Sequence, residues 1–228
     1  MQVNSDFSQR VVVLPEDYHY IPSPLNGVSR MMLDRAGEEV ARATSIVHYD
    51  ASAGYSAHTH EGGEEIFVLT GTFSDEHGDY PAGSYLRNPP GSSHTPFSTN
   101  GCTILVKLWQ FAGDDNQQLA IDTTRGTWLP GQVDGLHVLP LHEHNGVNTA
   151  LVRWAPDTRF GGHVHPGGEE ILVLEGVFND EHGSYPAGSW LRNPRYSKHT
   201  PYTGSEGALI YVKVGHMGAN LLGDRFIT

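Results

Sequence analysis

The 228-residue chain has a single cysteine, Cys102. That excludes an internal disulfide and any CxxC zinc or redox site, and a lone thiol reads as a small buried apolar residue. Basic residues are also few: 14 Lys and Arg stand against 26 Asp and Glu, a formal charge of −12 with histidine neutral. The clustered cations that phosphate contacts require are missing, so no nucleic-acid partner is expected. No apolar run approaches the roughly 18 residues of a bilayer span, which excludes a membrane helix. The opening MQVNSDFSQRVVVLPEDY holds only the short run VVVL before a proline, too little for the ~7–15-residue core of a secretion signal. A soluble, cytoplasmic protein is the expectation. Helical periodicity is missing too; Met31–Arg42 comes nearest and is read as strand and turn. No glycine-rich phosphate loop opens onto a helix, which removes a nucleotide-binding reading, and no Ser-His-Asp or Cys-His order can be argued.

What the chain has instead is a duplication. FSDEHGDYPAGSYLRNPPGSSHTPF begins at Phe73 and FNDEHGSYPAGSWLRNPRYSKHTPY at Phe178. With His58 set against His163 the offset is 105 residues, and it runs without a gap to Pro96 and Pro201, with 28 of 39 positions identical. Weaker similarity extends upstream, pairing Tyr49 with Trp154, Val47 with Val152, and Tyr20-Ile-Pro22 with Trp128-Leu-Pro130. A unit of about 100 residues is a domain and not a solenoid repeat. Within each copy, β-branched and aromatic runs such as Glu65–Leu69 and Glu170–Leu174 alternate with Gly, Pro and Asp-rich turns. Each run is read as a strand ending at Gly71 or Gly176. DEHG is read as a hairpin loop. Thr103–Trp109 and Ala208–Val214 are read as the closing strands. Many short strands at even spacing predict an all-β barrel or jelly roll in each copy. The predicted domains are 1–113 and 119–228, joined by the polar stretch Gly113–Gln118.

Histidine is the unusual residue, with 14 copies. His58-Thr-His60 puts two imidazoles on one face of a strand. Glu64 follows a Gly-Gly turn, and His94 arrives on a later strand. Three neutral imidazoles and a carboxylate make a borderline-soft site for zinc, iron(II), manganese, nickel or copper. The second copy repeats the set as His163, His165, Glu169 and His199, while the intervening Thr59 and Glu61 change to Val164 and Pro166. Surface histidines have no reason to recur while their neighbours change, so both sets are predicted metal ligands.

Those residues carry a family resemblance. Gly54, His58-Thr-His60, Glu64 and Gly71 resemble the first cupin motif, with the opening glycine closer to the histidines than the family spacing. Gly83, Pro89, Gly91 and His94 match the spacing of the second motif. The chain resembles a bicupin over nearly its whole length, which implies two tandem cupin jelly-roll barrels, each holding a metal at the matching positions. The modules are similar to the cupin domain of ChrR-type anti-sigma factors and to relatives of acetylacetone-cleaving dioxygenase. The first resemblance implies zinc and a regulatory or sensor role; the second implies metal-dependent oxygen chemistry on a small dicarbonyl or enol, with iron, manganese or nickel as the other candidate ions. ChrR-type regulators bind a sigma factor through an N-terminal domain with a CxxC zinc site. This chain has no CxxC, so a sigma-factor partner is not expected. A small-molecule ligand of unspecified identity is expected, and a homodimer is left open.

Other residues have two readings each. Along Ser84–Asn88, alternation puts Tyr85 and Arg87 on one face, matched by Trp190 and Arg192 in the second copy. They are pocket candidates, with the arginines either binding an anionic substrate or pairing with Glu65 and Glu170. His77 and His182 are read as solvated turn histidines, and His142-Glu-His144 as a hairpin tip. Pro90, Gly91 and Ser93 become Arg195, Tyr196 and Lys198, which predicts a second pocket of different shape and charge.

Overall fold

The computed structural model of the chain describes residues 1–218 and 220–227. Among these residues, antiparallel strands and four short 3-10 turns make up the regular structure. The chain divides into two compact units. The first comprises Met1–Ser5, His19–Gly126 and Leu221–Thr228; the second comprises Asp6–Tyr18 and Thr127–Asn220.

In the first unit the central strand is Glu64–Asp75, paired along one edge with Cys102–Leu108 and along the other with Ser84–Asn88. Cys102–Leu108 then pairs with Ala41–Tyr49, and that strand with Val28–Gly37. The segment read as strand and turn is therefore the hairpin between those last two. The apolar inner face gathers Val47, Ile66, Val68, Phe73, Leu86, Ile104 and Val106. Phe73 is 1% exposed, and such a burial contributes ~1.5–3 kcal/mol. Cys102 is buried beside these residues, as its isolation suggested. The second unit repeats the plan with Glu169–Asp180 between Ala208–Val214 and Trp190–Asn193, around Ile171, Val173, Phe178, Leu191 and Ile210.

The central strand does not stop at Gly71, as the sequence suggested. It bends there and continues, Thr72–Asp75 pairing with Gly78–Pro81, a strand off the main path of the sheet. Gly71 has φ +72°, and a Cβ on it would lie 2.1 Å from the Gly101 carbonyl oxygen; Gly176 repeats both features at +69° and 2.2 Å from Gly207. Only glycine allows this bend. Its result is that both ends of one strand, Glu64 and Asp75, reach the same histidine.

The stretch 113–118 is not a linker. Asp115 is buried and accepts a 2.5 Å bond from Arg87, whose other nitrogen donates to Glu65 Oε2 at 3.1 Å. Phe111 lies under the guanidinium at 4.0 Å, and Leu119–Asp122 adds a strand against Ser84–Asn88. The second unit closes the equivalent edge with residues from the start of the chain. Val11–Val13 pairs with Trp190–Asn193, Phe7 lies 4.1 Å from the Arg192 guanidinium, and the Asp6 carbonyl accepts from Arg192. The contiguous boundaries 1–113 and 119–228 are thus not those of the compact units, because an exposed sheet edge and a buried guanidinium both need covering. Changing Arg87 to Ala leaves Glu65 and Asp115 buried without that cation. It should cost about 3–5 kcal/mol, seen as a lower denaturant midpoint for the first unit.

Candidate metal centres

Each histidine set is assembled by a two-strand ladder. His58–Thr59 pairs with Ser93–His94, placing His58 opposite His94. His163–His165 pairs with Ser197–His199, placing His163 opposite His199. The dipeptide spacing brings His60 and His165 to the same faces, and the central strand begins at the glutamate. His58, His60, Glu64 and His94 then present ligand atoms within 4.8 Å of one another, as do His163, His165, Glu169 and His199. The structure brings together all eight predicted ligands, four in each unit.

In the first set the ring centroids are 4.7–5.1 Å apart. Glu64 Oε2 lies 3.3 Å from His60 Nε2 and 3.4 Å from His94 Nε2. Surrounding groups fix which ring nitrogen carries hydrogen. His58 Nδ1–H donates to the Ser56 carbonyl at 2.9 Å, and His94 Nδ1–H faces Asp75 Oδ2 at 3.3 Å. Both leave Nε2 as a bare lone pair aimed at the cluster. Asn88, opposite Glu64 in the ladder, donates to Glu64 Oε2 at 3.1 Å. His60 Nε2 and His94 Nε2 are buried without a hydrogen bond, a cost that a cation would relieve. In the second set, His163 Nδ1–H donates to the Gly161 carbonyl, His199 Nδ1 lies 3.4 Å from Asp180 Oδ2, and Asn193 donates to Glu169. His165 Nε2 and His199 Nε2 approach to 3.1 Å, a contact that calls for a proton or cation between two lone pairs. The donor sets fit a divalent transition metal, and carboxylate support behind a ligating histidine is the usual second layer of such sites.

The electrostatics agree. Burial, reinforced by His94 and His58, pushes His60 down to about 3, so it is neutral and available at pH 7. Burial also lowers His94, His163 and His165. For His199 burial pulls the same way, but the Asp180 hydrogen bond and the charges of Glu169, Asp180 and Glu181 outweigh it and raise the value. Burial pushes Glu64 up to about 7, with Asn88 opposing and Asp75 adding to the rise. Asp180 is held at about 2: burial works against ionisation, but the bonds to His199, His182 and Tyr185 and the charge of Arg10 prevail. Arg10 was not singled out in the sequence. It spans Asp180 Oδ2, Tyr185 Oη and Asn193 Oδ1 at 2.7–2.9 Å, and a residue 170 positions from its partner leaves no local signal.

Each cluster opens on a cavity within its own barrel, about 340 Å³ in the first unit and about 530 Å³ in the second. Tyr85, Arg87, Trp190 and Arg192 line neither. All four are fully buried, Arg87 in its ion pairs and Trp190 donating to Glu170 Oε1 at 2.8 Å. Their face of the strand points into the layer that the Phe111 and Phe7 segments cover. Arg195, Tyr196 and Lys198 also stay out of the second cavity. Tyr196 keeps the left-handed backbone of Gly91, φ 61° against +89°, and a Cβ at Gly91 would meet nothing within 4 Å. The bulky ring therefore points outward, 67% exposed, and the loop path is unchanged. His77 and His182 sit in the two-residue turns of their hairpins. His142 and His144 end a strand beside the Asn145-Gly146 turn, stacked with centroids 6.4 Å apart.

Two outcomes follow from this geometry. Replacing Asp75 or Asp180 with Ala should weaken metal retention at the adjoining site by about 10–100-fold, measured by competition with a chelator. Glu64 must be ionised to act as a ligand, and without metal it gains its proton near pH 7. Affinity at the first site should therefore fall by about tenfold per unit as pH drops below 7, which the same competition run from pH 8 to 5 would show.

Comparison with known proteins places these features. The ChrR cupin-like domain family matches residues 8–112 and again 116–218. No curated protein sequence is significantly similar. Among solved structures, a candidate dioxygenase from Nostoc punctiforme PCC 73102 superposes with a TM-score of 0.76 at 17% identity, covering 95% of this chain and 87% of that one. A candidate glyoxylate-induced protein from Pseudomonas aeruginosa gives 0.72 at 14% identity, covering 93% and 89%. Oxalate decarboxylase from Bacillus subtilis, a protein with Mn(II) centres, gives 0.61 at 14%, covering 90% and 76%. These similarities share the fold. Among the described residues no helix is long and apolar enough to cross a membrane. With two matches that together span most of its length, the chain belongs to the ChrR cupin-like domain family and is a bicupin of two such domains.

Proposed function

We propose that this bicupin is a metal-dependent enzyme of dioxygenase type acting on a small dicarbonyl or enol. The observation that carries the reading is the joining of each cluster of three histidines and a glutamate to an internal cavity of several hundred Å³. A structural metal site is normally closed, whereas a catalytic one keeps room for substrate. A divalent ion held by the four ligands would supply Lewis acidity and open positions for an oxygen-bearing substrate.

The chain's own residues supply the remainder. Asp75 and Asp180 orient His94 and His199, and Asn88 and Asn193 orient Glu64 and Glu169. In the first unit Val47, Ile104 and Val106 supply the hydrocarbon part of a cavity wall that also carries Arg30, Tyr49 and Tyr55.

The family match supports a second reading, a ChrR-like zinc-binding sensor without turnover. Four protein ligands suit a closed tetrahedral zinc site. The cavities favour the first reading, since a sensor that only holds zinc has no use for them.

Purified protein should carry close to two metal ions per chain, and the double change His58→Ala, His60→Ala should remove about half. Metal analysis of freshly prepared protein checks this, and trace metal alone would overturn the reading. Fe(II)-loaded protein should consume oxygen when given small β-dicarbonyls. Zinc alone bound, with no oxygen uptake, would favour the sensor.

A further inference from the structure

The two metal-ligand sets are alike, but the cavities above them are not. Strand register makes the comparison residue by residue. Val47 pairs with Arg30, while its counterpart Val152 pairs with Val138. The cavity wall of the first unit thus has a guanidinium where the second has an isopropyl group. Tyr49 and Tyr55 in the first correspond by the same offset to Trp154 and Phe160 in the second. The first cavity has the Arg30 and Arg35 guanidiniums, two phenols and the exposed Glu39 and Glu61 carboxylates on its wall; the second has apolar surface, Pro166 in place of Glu61, and the Trp154 indole Nε1–H, a neutral donor buried without a partner.

Arg30 is half-buried, and its Nε lies buried without a hydrogen bond. Leaving a guanidinium N–H desolvated and unpaired is costly. Arg35, on the same wall, is already committed: its Nη2 donates to the carbonyls of Glu38 and Glu39. Arg30 is therefore the wall cation with a buried donor to offer. A guanidinium in this state matches a carboxylate, which can accept two parallel N–H bonds.

We propose that the first cavity binds a small carboxylate-bearing molecule, its carboxylate on Arg30 and another oxygen directed towards His58, His60, Glu64 and His94, and that the second cavity takes neutral molecules only. The proposal rests on the metal-centre reading, because an anion beside Glu64 is repelled unless a cation shares the cluster. It deepens that reading by dividing the two sites by substrate charge: the duplicated ligand set is kept while the wall residue opposite Val47 or Val152 decides what enters.

The test is calorimetric titration of metal-replete, full-length protein with pyruvate and with diacetyl, a neutral dicarbonyl of similar size. Metal content is measured on the same samples. Wild-type protein should bind pyruvate at one site per chain. Arg30→Val, which installs the residue the second unit already has, should weaken pyruvate by about tenfold or more and leave diacetyl binding and metal content unchanged. Arg30→Lys should recover part of the pyruvate affinity, separating charge from packing. Metal-replete wild-type protein that does not bind pyruvate, or binds it equally well after Arg30→Val, overturns the proposal and leaves the metal-centre reading intact. Wild-type protein without metal overturns both.

Discussion

Bringing bare nitrogen lone pairs and a carboxylate together in a largely buried cluster is unfavourable, and the residues around each cluster are arranged around that cost. His58, His60, Glu64 and His94 place their ligand atoms within 4.8 Å, with two imidazole nitrogens buried and unpaired. Water would satisfy these atoms at the surface. Within the cluster a cation would satisfy all four at once, and burial keeps His60 neutral at pH 7. The ligand geometry, the tautomers set by Ser56 and Asp75, and the bend at Gly71 serve one purpose, which is to hold lone pairs in place before the ion arrives.

The support behind those ligands is where the two units diverge. Both use an aspartate behind the third histidine and an asparagine behind the glutamate. In the second unit Arg10 clamps Asp180 and Asn193 together, and it comes from the stretch Asp6–Tyr18 near the start of the chain. His94 and His199 differ in proton affinity although their partners are the same residue types. His94 is lowered by burial, and His199 is raised by the acidic groups that outweigh it. The cavities diverge on a different wall, through Arg30 and Val138. The two units thus share the candidate metal-ligand residues and differ in the layers on both sides of them.

The ligand residues were legible because each belongs to a short motif whose spacing matches strand geometry, and because a repeat at fixed offset separates constrained positions from neutral ones. The same logic left Arg87 between an anionic substrate and a pairing with Glu65, and the structure has the pairing; Tyr85, Arg87, Trp190 and Arg192 line neither cavity. Alternation states that two residues share a face but not which layer that face meets, and here it meets Phe111 and Phe7 rather than the cavity. Gly113–Gln118 looked like a linker by composition, yet Asp115 is buried because Arg87 needs a counter-charge. The change from Gly91 to Tyr196 suggested an altered pocket. An open loop with room for a Cβ let the ring turn outward.

The duplication, the all-β class and the eight candidate ligands were readable from periodicity and local spacing, which a chain carries in one dimension. Tertiary structure alone decided which sheet edge each flanking segment covers, that Arg10 supports the second metal centre, and that Arg30 faces the first cavity. A β-bulge between Met32 and Asp34 shifts the parity of that strand, so Arg30 and Arg35 line the same wall although the offset between them is odd. Long-range pairing and bulges set which way a side chain points. Neither leaves a period in the sequence from which it could be read.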